Sequence, residues 1–556
     1  MEEKKLSGSE YFARLFKEYG TTHLFYQEAM MRLTTMEAAK YGIKPIRANS
    51  ENAVGYMADG YARISGKPGI AIAQAVGAAN LVGGVQDAWF ATSPVIAITG
   101  KKLPSYQYKN CYQECDHKAL FSGVTKFSAE MTDYQQLPFL VRQAYREAVT
   151  GKPRPVHLDL LGFTGIDFEL SQIDEAFFAE PMYGIYPAFR TPAETALVKK
   201  AAELIDNAER PVIVAGRGAF VSGAGIAIHD LAVKCDIPVV TTPDGKTVID
   251  EDDPLWAGIV GNYGMDCANK AVKAADLVIF IGTQTADQTT IDWAVPCQTV
   301  KAIQIDVEPG ELGKNYPDSV GLLGDAKTVV GQLIAVVQNN ERSDWRKQVS
   351  DLVKDTCDRQ QAAMDTTASP IRTEYLCKVL SQCLPHDAVL VADTGYSAIW
   401  TSTMVRMKST QRYLRAAGSL GWSYPASLGV KCGAPGRPVI CFTGDGGFYY
   451  HLSEMETAMR CGINTVTIVN NNSILGQCAH YMRDLCFSDE DGGLAKISFE
   501  KLNFAKIAEN FGLFAIRAEQ ASDIAPAIEK ALMIGKPALV EVVTADPDTS
   551  IPLPAL

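Results

Sequence analysis

Across 556 residues the sequence has no uninterrupted apolar run long enough to cross a bilayer. Its opening, MEEKKLSGSE, is polar and lacks the apolar core of a signal peptide. No membrane partner is expected, and the expected location is cytoplasmic. Basic charge is not in surplus either: 52 Lys and Arg stand against 64 Asp and Glu, a formal net charge of -12, with no basic run. Nucleic acid is therefore not an expected partner. The 13 cysteines contain no C-x-x-C pair. Cys111 and Cys115 lie four apart, but no second pair or histidine cluster completes a metal site. Reduced, mostly buried thiols are expected. There is no internal repeat and no low-complexity tract.

What is there points to folded α/β units. With 47% hydrophobic and 21% charged residues the composition is that of a globular chain, and the length implies two to four domains. Three blocks follow one another. The first, a domain expected over residues 1–180, alternates the strand-like runs GIAIAQAV, SPVIAITG and PVHLDL with helical patterns. The stretch FFAEPMYGIYPAFRTP reads as a linker that leads to a helix near Pro192. The second block, a central Rossmann-like domain expected over residues 190–345, holds RPVIVAGRGAF, IPVVTT, DLVIFIG and AIQIDVEP. A charged surface helix within NNERSDWRKQVSDLVKDTCDRQQ bridges to the third block, expected over residues 370–556. Its strands are AVLVADTG, RPVICFTG, TVTIVNNN and PALVEVVT. This alternation predicts an α/β fold of three doubly wound parallel-sheet domains, with ligands at strand C-termini. Gly216 and Gly218 follow a strand, but a bare G-x-G reads better as a tight turn.

One unit carries the chemistry. RPVICFT reads as a short buried strand, and Phe448, Leu452, Met455 and Met459 recur at helical spacing until Gly462 stops the helix. TVTIV is the next strand. Between strand and helix lies GDGG, whose backbone N–H groups favour a phosphate. Asp445 in that turn would repel the phosphate unless a metal sits between them. A hard cation such as Mg²⁺ takes carboxylate, amide and carbonyl oxygens together with phosphate. The NNN run offers an amide from the C-terminal end of the neighbouring strand. Alone, Asp445 is an ordinary turn aspartate and NNN a polar turn. Flanking one helix, they point to a metal–diphosphate site.

Three other stretches matter. In NSENAVGYMADGYAR, Glu51 opens an amphipathic segment with Ala53, Tyr56, Met57 and Tyr61 at broadly helical spacing. By itself Glu51 reads as a helix-start carboxylate. In AAGSLGWSYPASLG, small residues around Leu420 leave a backbone that a flat ring can approach closely. In CYQECDHKALFSGVTKFS, Tyr112 and Gln113 precede another helical run.

Together these stretches resemble the thiamine-diphosphate enzymes of the acetolactate synthase and 2-oxoacid decarboxylase superfamily, over almost the whole chain. ENAVGYMADGYAR lies far upstream of GDG, and Asn472 follows Asp445 by 27 residues (472 − 445), the family interval between two side-chain metal ligands. IDVEPGELGKN is similar to the family's central-domain signature. The resemblance implies three domains, in order a pyrimidine-binding, a central and a diphosphate-binding domain. It implies that Asp445 and Asn472 hold Mg²⁺ through side chains and Ile474 through its carbonyl. Gly446, Gly447, Asn472 and the turn Gly395, Tyr396 and Ser397 would surround the diphosphate. The Gly418 carbonyl and Leu420 N–H would hold the pyrimidine edge, with Leu420 as the apolar wedge that bends the cofactor. Glu51 would be the catalytic acid, whose hydrogen bond to the pyrimidine makes the cofactor its own base. In the family Glu51 and the metal loop come from different chains, so a homodimer or homotetramer is implied.

The substrate side departs from the family pattern. LFYQEAMM stands where acetolactate synthases carry a glycine- and proline-rich turn, so Gln27 and Glu28 face the expected pocket. Glu28 is then a proton relay, a repeller of anionic substrate, or a helix-capping carboxylate turned to solvent. Ser50 rather than histidine precedes Glu51, and the paired histidines of pyruvate-type decarboxylases are absent. Tyr112, Gln113, Gln477 and His480 are candidate substrate contacts, while His451 reads as packing or capping. GTQTADQ, from Gly282 to Gln288, replaces the G-A-R-F-D-D-R of flavin-binding relatives, so FAD is not expected. The implied function is a carbon–carbon lyase or carboligase, acetolactate synthase-like. Its substrate would be a small-molecule carbonyl, a 2-oxo acid or 2-hydroxy ketone. The alternatives are non-decarboxylative cleavage, as in 2-hydroxyacyl-CoA lyases or cyclic dione hydrolases, and a non-catalytic relative.

Overall fold

The computed structural model describes residues 5–482 and 492–546. Its frame is three six-stranded parallel sheets. The first contains β1 (His23–Tyr26), β2 (Lys44–Arg47), β3 (Gly69–Ile72), β4 (Val95–Lys101), β5 (Phe127–Glu130) and β6 (Val156–Leu161). The central sheet contains β7 (Pro211–Ala215), β8 (Val239–Thr241), β9 (Trp256–Ile259), β10 (Leu277–Ile281), β11 (Lys301–Asp306) and β12 (Ser319–Leu323). The third contains β13 (Val389–Ala392), β14 (Arg412–Arg415), β15 (Val439–Gly444), β16 (Val466–Asn471), β17 (Phe514–Ala518) and β18 (Ala538–Val543). Their orders are β2-β1-β3-β4-β6-β5, β12-β11-β10-β7-β8-β9 and β14-β13-β15-β16-β18-β17. Counted from its own first strand, the third sheet repeats the order of the first. The central sheet has the doubly wound dinucleotide order instead.

Helices cover both faces, so inner strands such as β3, β6, β7, β10 and β13 are buried at every residue. This is why they appear in the sequence as continuous apolar runs rather than as alternation. The strands that the runs do not announce are the short inner strand β1 and the six sheet edges, β2, β5, β9, β12, β14 and β17. An edge is covered on one flank only, and β5 has no fully buried residue at all. The charged bridge is the helix Ser343–Met364. Two readings need correction. The helix placed near Pro192 starts at Thr195. The single helix read from Phe448 to Met459 is two, Asp445–Tyr449 and Glu454–Cys461. Gly462 does end the second, at φ 62.

The first and third sheets are joined by the helix Glu51–Ser65 lying against the helix Ser423–Gly433. The two backbones almost touch. A Cβ on Gly60 would sit 2.2 Å from the Ala426 carbonyl oxygen, and one on Gly429 would sit 1.9 Å from that of Met57. No described helix is long and apolar enough to cross a membrane.

Candidate active site

In a doubly wound sheet the strand order reverses at one point, and the crevice beyond the strand C-termini there is the natural place for a ligand. In the third sheet that point lies between β13 and β15, which are paired from Val389↔Val439 to Ala392↔Phe442. β13 leads into Gly395 (φ 68) and the helix Tyr396–Thr403, so Gly395, Tyr396 and Ser397 form one wall. β15 leads into Asp445, Gly446 and Gly447, all buried. Asp445 is 3% exposed. Its carboxylate accepts the N–H groups of Gly446 (2.6 Å), Asn472 (3.0 Å) and Ser473 (2.5 Å). Burial pushes its carboxyl up to about 6, against the downward pull of those N–H groups.

The three asparagines divide their work. Asn470 Oδ1 accepts Thr544 Oγ1–H (2.7 Å), and Asn471 Nδ2 donates to Glu541 (2.7 Å), so both serve the sheet. Asn472 stands past the strand end, half-buried, its Oδ1 accepting the Ile474 N–H (3.3 Å). The bridge from Ile474 to Ser498 runs through the Ser473 carbonyl and the Leu475 N–H, not through the Ile474 carbonyl. Asp445, Asn472 and Ile474 thus bring carboxylate, amide and carbonyl oxygens into one loop, a donor set suited to a hard cation such as Mg²⁺. Gln477 approaches Gly395 and donates to Tyr263 Oη of the central block (3.2 Å). His480 lies in the helix Gly476–Tyr481, and its side chain falls outside the described residues.

Glu51 sits at the corresponding end of the first sheet. Ser50 caps its helix by accepting the Ala53 N–H (3.3 Å). Glu51 is half-buried, and Asn80 Nδ2 donates to its Oε2 (3.1 Å). A Cβ on Gly77 would fall 2.5 Å from its Oε1, so glycine is what lets the carboxylate lie there. Asn49, two residues earlier, ties this turn to the third sheet: its N–H donates to Glu454 (3.0 Å) and its amide to the Ser453 carbonyl (3.0 Å). Gln27 follows β1 and is half-buried. Gln113 has φ 59 and accepts a hydrogen bond from Gln74, just past β3 (3.3 Å). Tyr112 is 73% exposed. Glu28 does not cap the next helix: it is exposed and accepts Arg32 Nε–H (2.6 Å), while Met31 occupies the cap. Among the described residues no hydrogen bond or ion pair joins Glu51 to the Asp445 loop.

The segment carrying Gly418 and Leu420 lies where the first and third domains meet, with Leu420 half-buried. Two carboxylates that sequence reading missed hold its backbone. Asp87 accepts the N–H groups of Ala417 (3.0 Å), Gly418 (3.1 Å) and Ser419 (2.9 Å). Asp393 accepts those of Gly421 (3.0 Å) and Ser423 (3.0 Å) together with the Ser423 hydroxyl (2.5 Å). His451 packs on Tyr56, ring centroids 5.5 Å apart, with Nδ1 donating to the Gly421 carbonyl (3.0 Å), in keeping with a packing role. Beyond Gly418 and Ser419 opens a cavity of about 540 Å³ at the reversal point of the central sheet, walled by Arg217, Gly282, Gln284 and Gln288. Arg217 Nε and Nη2 are buried there without a hydrogen-bond partner.

Residues 6–120, 198–333 and 393–542 match, in that order, the N-terminal TPP binding, central and C-terminal TPP binding domains of the thiamine pyrophosphate enzymes. A probable acetolactate synthase large subunit of Methanocaldococcus jannaschii is 32% identical over 522 residues, covering 91% of this chain and 86% of the relative. The chain belongs to the thiamine pyrophosphate enzyme family. The acetolactate synthase isozyme 1 large subunit of Escherichia coli (strain K12) is 28% identical over 545 residues, 97% of this chain and 94% of the relative. The glyoxylate carboligase of Escherichia coli O157:H7 is 28% identical over 524 residues, 90% and 86%. This thiamine pyrophosphate (thiamine diphosphate) enzyme belongs to the acetolactate synthase superfamily and works on carbon–carbon bonds as a lyase or carboligase.

Proposed function

We propose that the chain is a carboligase or decarboxylase for a 2-oxo acid or 2-hydroxy ketone, using Mg²⁺ to hold thiamine diphosphate and acting at least as a homodimer. The observation that carries this reading is the divided site. Glu51 and the Asp445 loop lie at corresponding ends of two sheets of like topology, with no hydrogen bond or ion pair joining them among the described residues. A second copy supplies the missing half. Val76, Tyr106, Tyr108 and Tyr112, exposed apolar side chains beyond the first sheet, favour such a contact. Acetolactate synthase and glyoxylate carboligase relatives support the carbonyl substrate class.

When bound, the cofactor supplies the electron sink for a carbon–carbon bond next to a carbonyl. The chain supplies the rest. Asp445, Asn472 and the Ile474 carbonyl would hold the cation, and the Gly446 and Gly447 N–H groups and the Gly395–Ser397 turn would face the diphosphate. Glu51, steadied by Asn80 and given room by Gly77, holds and returns a proton at the pyrimidine ring. Leu420 presses on the ring from the segment that Asp87 and Asp393 fix. Gln27, Gln113 and Gln477 offer neutral donors to a substrate carboxylate or carbonyl. With Gln284 and Gln288 where flavin-binding relatives carry arginine, no flavin is part of the proposal. The described cysteines are free thiols, which favours a reducing, cytoplasmic setting.

A donor panel tests the reading, with and without thiamine diphosphate and Mg²⁺, following CO₂ and carbonyl products by mass spectrometry. Cofactor-dependent CO₂ release from a 2-oxo acid is expected. Consumption of a dione or acyl-CoA donor without CO₂ would move the chain to the non-decarboxylative branch, and no turnover of any donor would overturn the proposal.

A further inference from the structure

Asp87 lies in GGVQDAWF, outside every stretch that pointed to the cofactor. It is fully buried, and so are its neighbours Asp59 (0% exposed) and Arg63 (4%). Arg63 bonds Asp87 (2.8 Å), pairs with Asp59 through Nε (2.9 Å), and donates to the Arg415 carbonyl (2.7 Å). Asp59 in turn accepts Trp422 Nε1–H (2.9 Å), and the Arg63 guanidinium lies 4.5 Å from the Trp422 ring. The first sheet's domain thus grips residues 415–422 of the third by charge, hydrogen bonds and stacking at once.

The pattern of N–H groups taken is selective. Asp87 takes those of Ala417, Gly418 and Ser419, and Asp393 takes those of Gly421 and Ser423. Leu420, between them, is skipped. Two buried carboxylates therefore hold a turn on both sides of one residue whose N–H faces neither. A buried carboxylate is costly unless it is paired or hydrogen-bonded: Arg63 pairs with Asp87, and Asp393 is met by the Thr394, Gly421 and Ser423 N–H groups and the Ser423 hydroxyl.

Asp87 also fixes which site it serves. It stands on the helix Gly77–Phe90, whose first residue, Gly77, makes room for Glu51. Ten residues of helix place these two supports about 15 Å apart along the axis. One small ring edge does not span that distance, which fits a site in which Glu51 and the turn held by Asp87 address different cofactors.

We propose that Asp87 is a positioning residue for the Gly418–Leu420 clamp of its own chain. This rests on the two-chain site of the preceding subsection, and the test separates the two. Asp87→Asn is expected to weaken thiamine diphosphate binding about tenfold, read by quenching of tryptophan fluorescence. Turnover should fall about a hundredfold, as for a misplaced reacting group.

The deciding experiment uses purified heterodimers carrying two different affinity tags. A dimer of one E51Q chain and one D87N chain keeps one complete site and should run at about half the wild-type rate. A dimer of E51Q with D445N is the control and should recover equally. Recovery in the control alone overturns the role of Asp87 in its own chain's site. Failure of both pairs overturns the two-chain site and the inference with it. If D87N chains do not fold, hydrogen exchange on the wild-type protein decides. The amides of Ala417, Gly418 and Ser419 should be protected before cofactor is added, and rapid exchange there would refute the proposal.

Discussion

The first and third sheets have the same strand order, yet their C-terminal ends present different groups. The first ends in side chains: Glu51, Asn80, Gln27, Gln74 and Gln113. The third ends in backbone and a buried acid, with a glycine turn and three N–H groups directed at the Asp445 carboxylate. Topology placed both crevices, and in the proposed mechanism residue choice decides which end would carry a proton and which a cation with its phosphates. The contrast also sets exposure. Asp445 is nearly sealed, whereas Glu51 is half-buried and lies against Gly77, the neighbour of exposed Val76, as suits a group completed by another chain.

If the third sheet binds and the first activates, Asp445→Ala and Glu51→Gln should fail differently. Asp445→Ala should lose cofactor retention in gel filtration and lower activity at saturating Mg²⁺ by about a thousandfold or more. Glu51→Gln should keep thiamine diphosphate affinity within a few-fold and lower turnover by roughly 10² to 10⁴. Equal loss of binding in both would erase the distinction. Gly77→Ala sharpens it further: the new Cβ would displace the Glu51 carboxylate, and kcat should drop about tenfold to a hundredfold at unchanged cofactor affinity.

Within the third sheet, neighbouring asparagines should separate stability from binding. Asn471→Ala removes a partner of buried Glu541 and should cost about 1–3 kcal/mol in urea denaturation. Asn472→Ala should leave the urea midpoint nearly unchanged while weakening Mg²⁺ in titration calorimetry by about tenfold or more. The smallest effect belongs to Glu28. Its pair with Arg32 is half-exposed, so Glu28→Gln should shift stability by less than about 0.5 kcal/mol. A change in KM for an anionic donor without a change in kcat would place Glu28 at the substrate after all.

The parts of the site legible in sequence were those built from neighbours. GDGG, NNN and ENAVGYMADGYAR are legible because each lies within one stretch of chain, a turn opening a helix, a strand end and a helix from its first residue, and such chemistry is local. Asp59 and Arg63 were in plain view four apart, but their purpose was hidden, since their partners Asp87, Arg415 and Trp422 come from elsewhere in the chain. Asp87 and Asp393 gave no signal, each being a lone acid in an apolar stretch. The Ser419 N–H that Asp87 accepts lies 332 residues away. The break between the helices Asp445–Tyr449 and Glu454–Cys461 was likewise invisible to periodicity, because the apolar spacing continues through it.

All the inner strands but the short β1, their parallel pairing and the cofactor class were determined by the sequence alone, because burial on two faces and phosphate-binding turns both write continuous local patterns. Edge strands left no such run. The grip of one domain on the other's clamp, the split between Asn471 and Asn472, and the distance between Glu51 and the turn held by Asp87 were decided only by tertiary structure. A carboxylate can collect N–H groups from any part of the chain, and nothing in its own neighbourhood records which ones it has found.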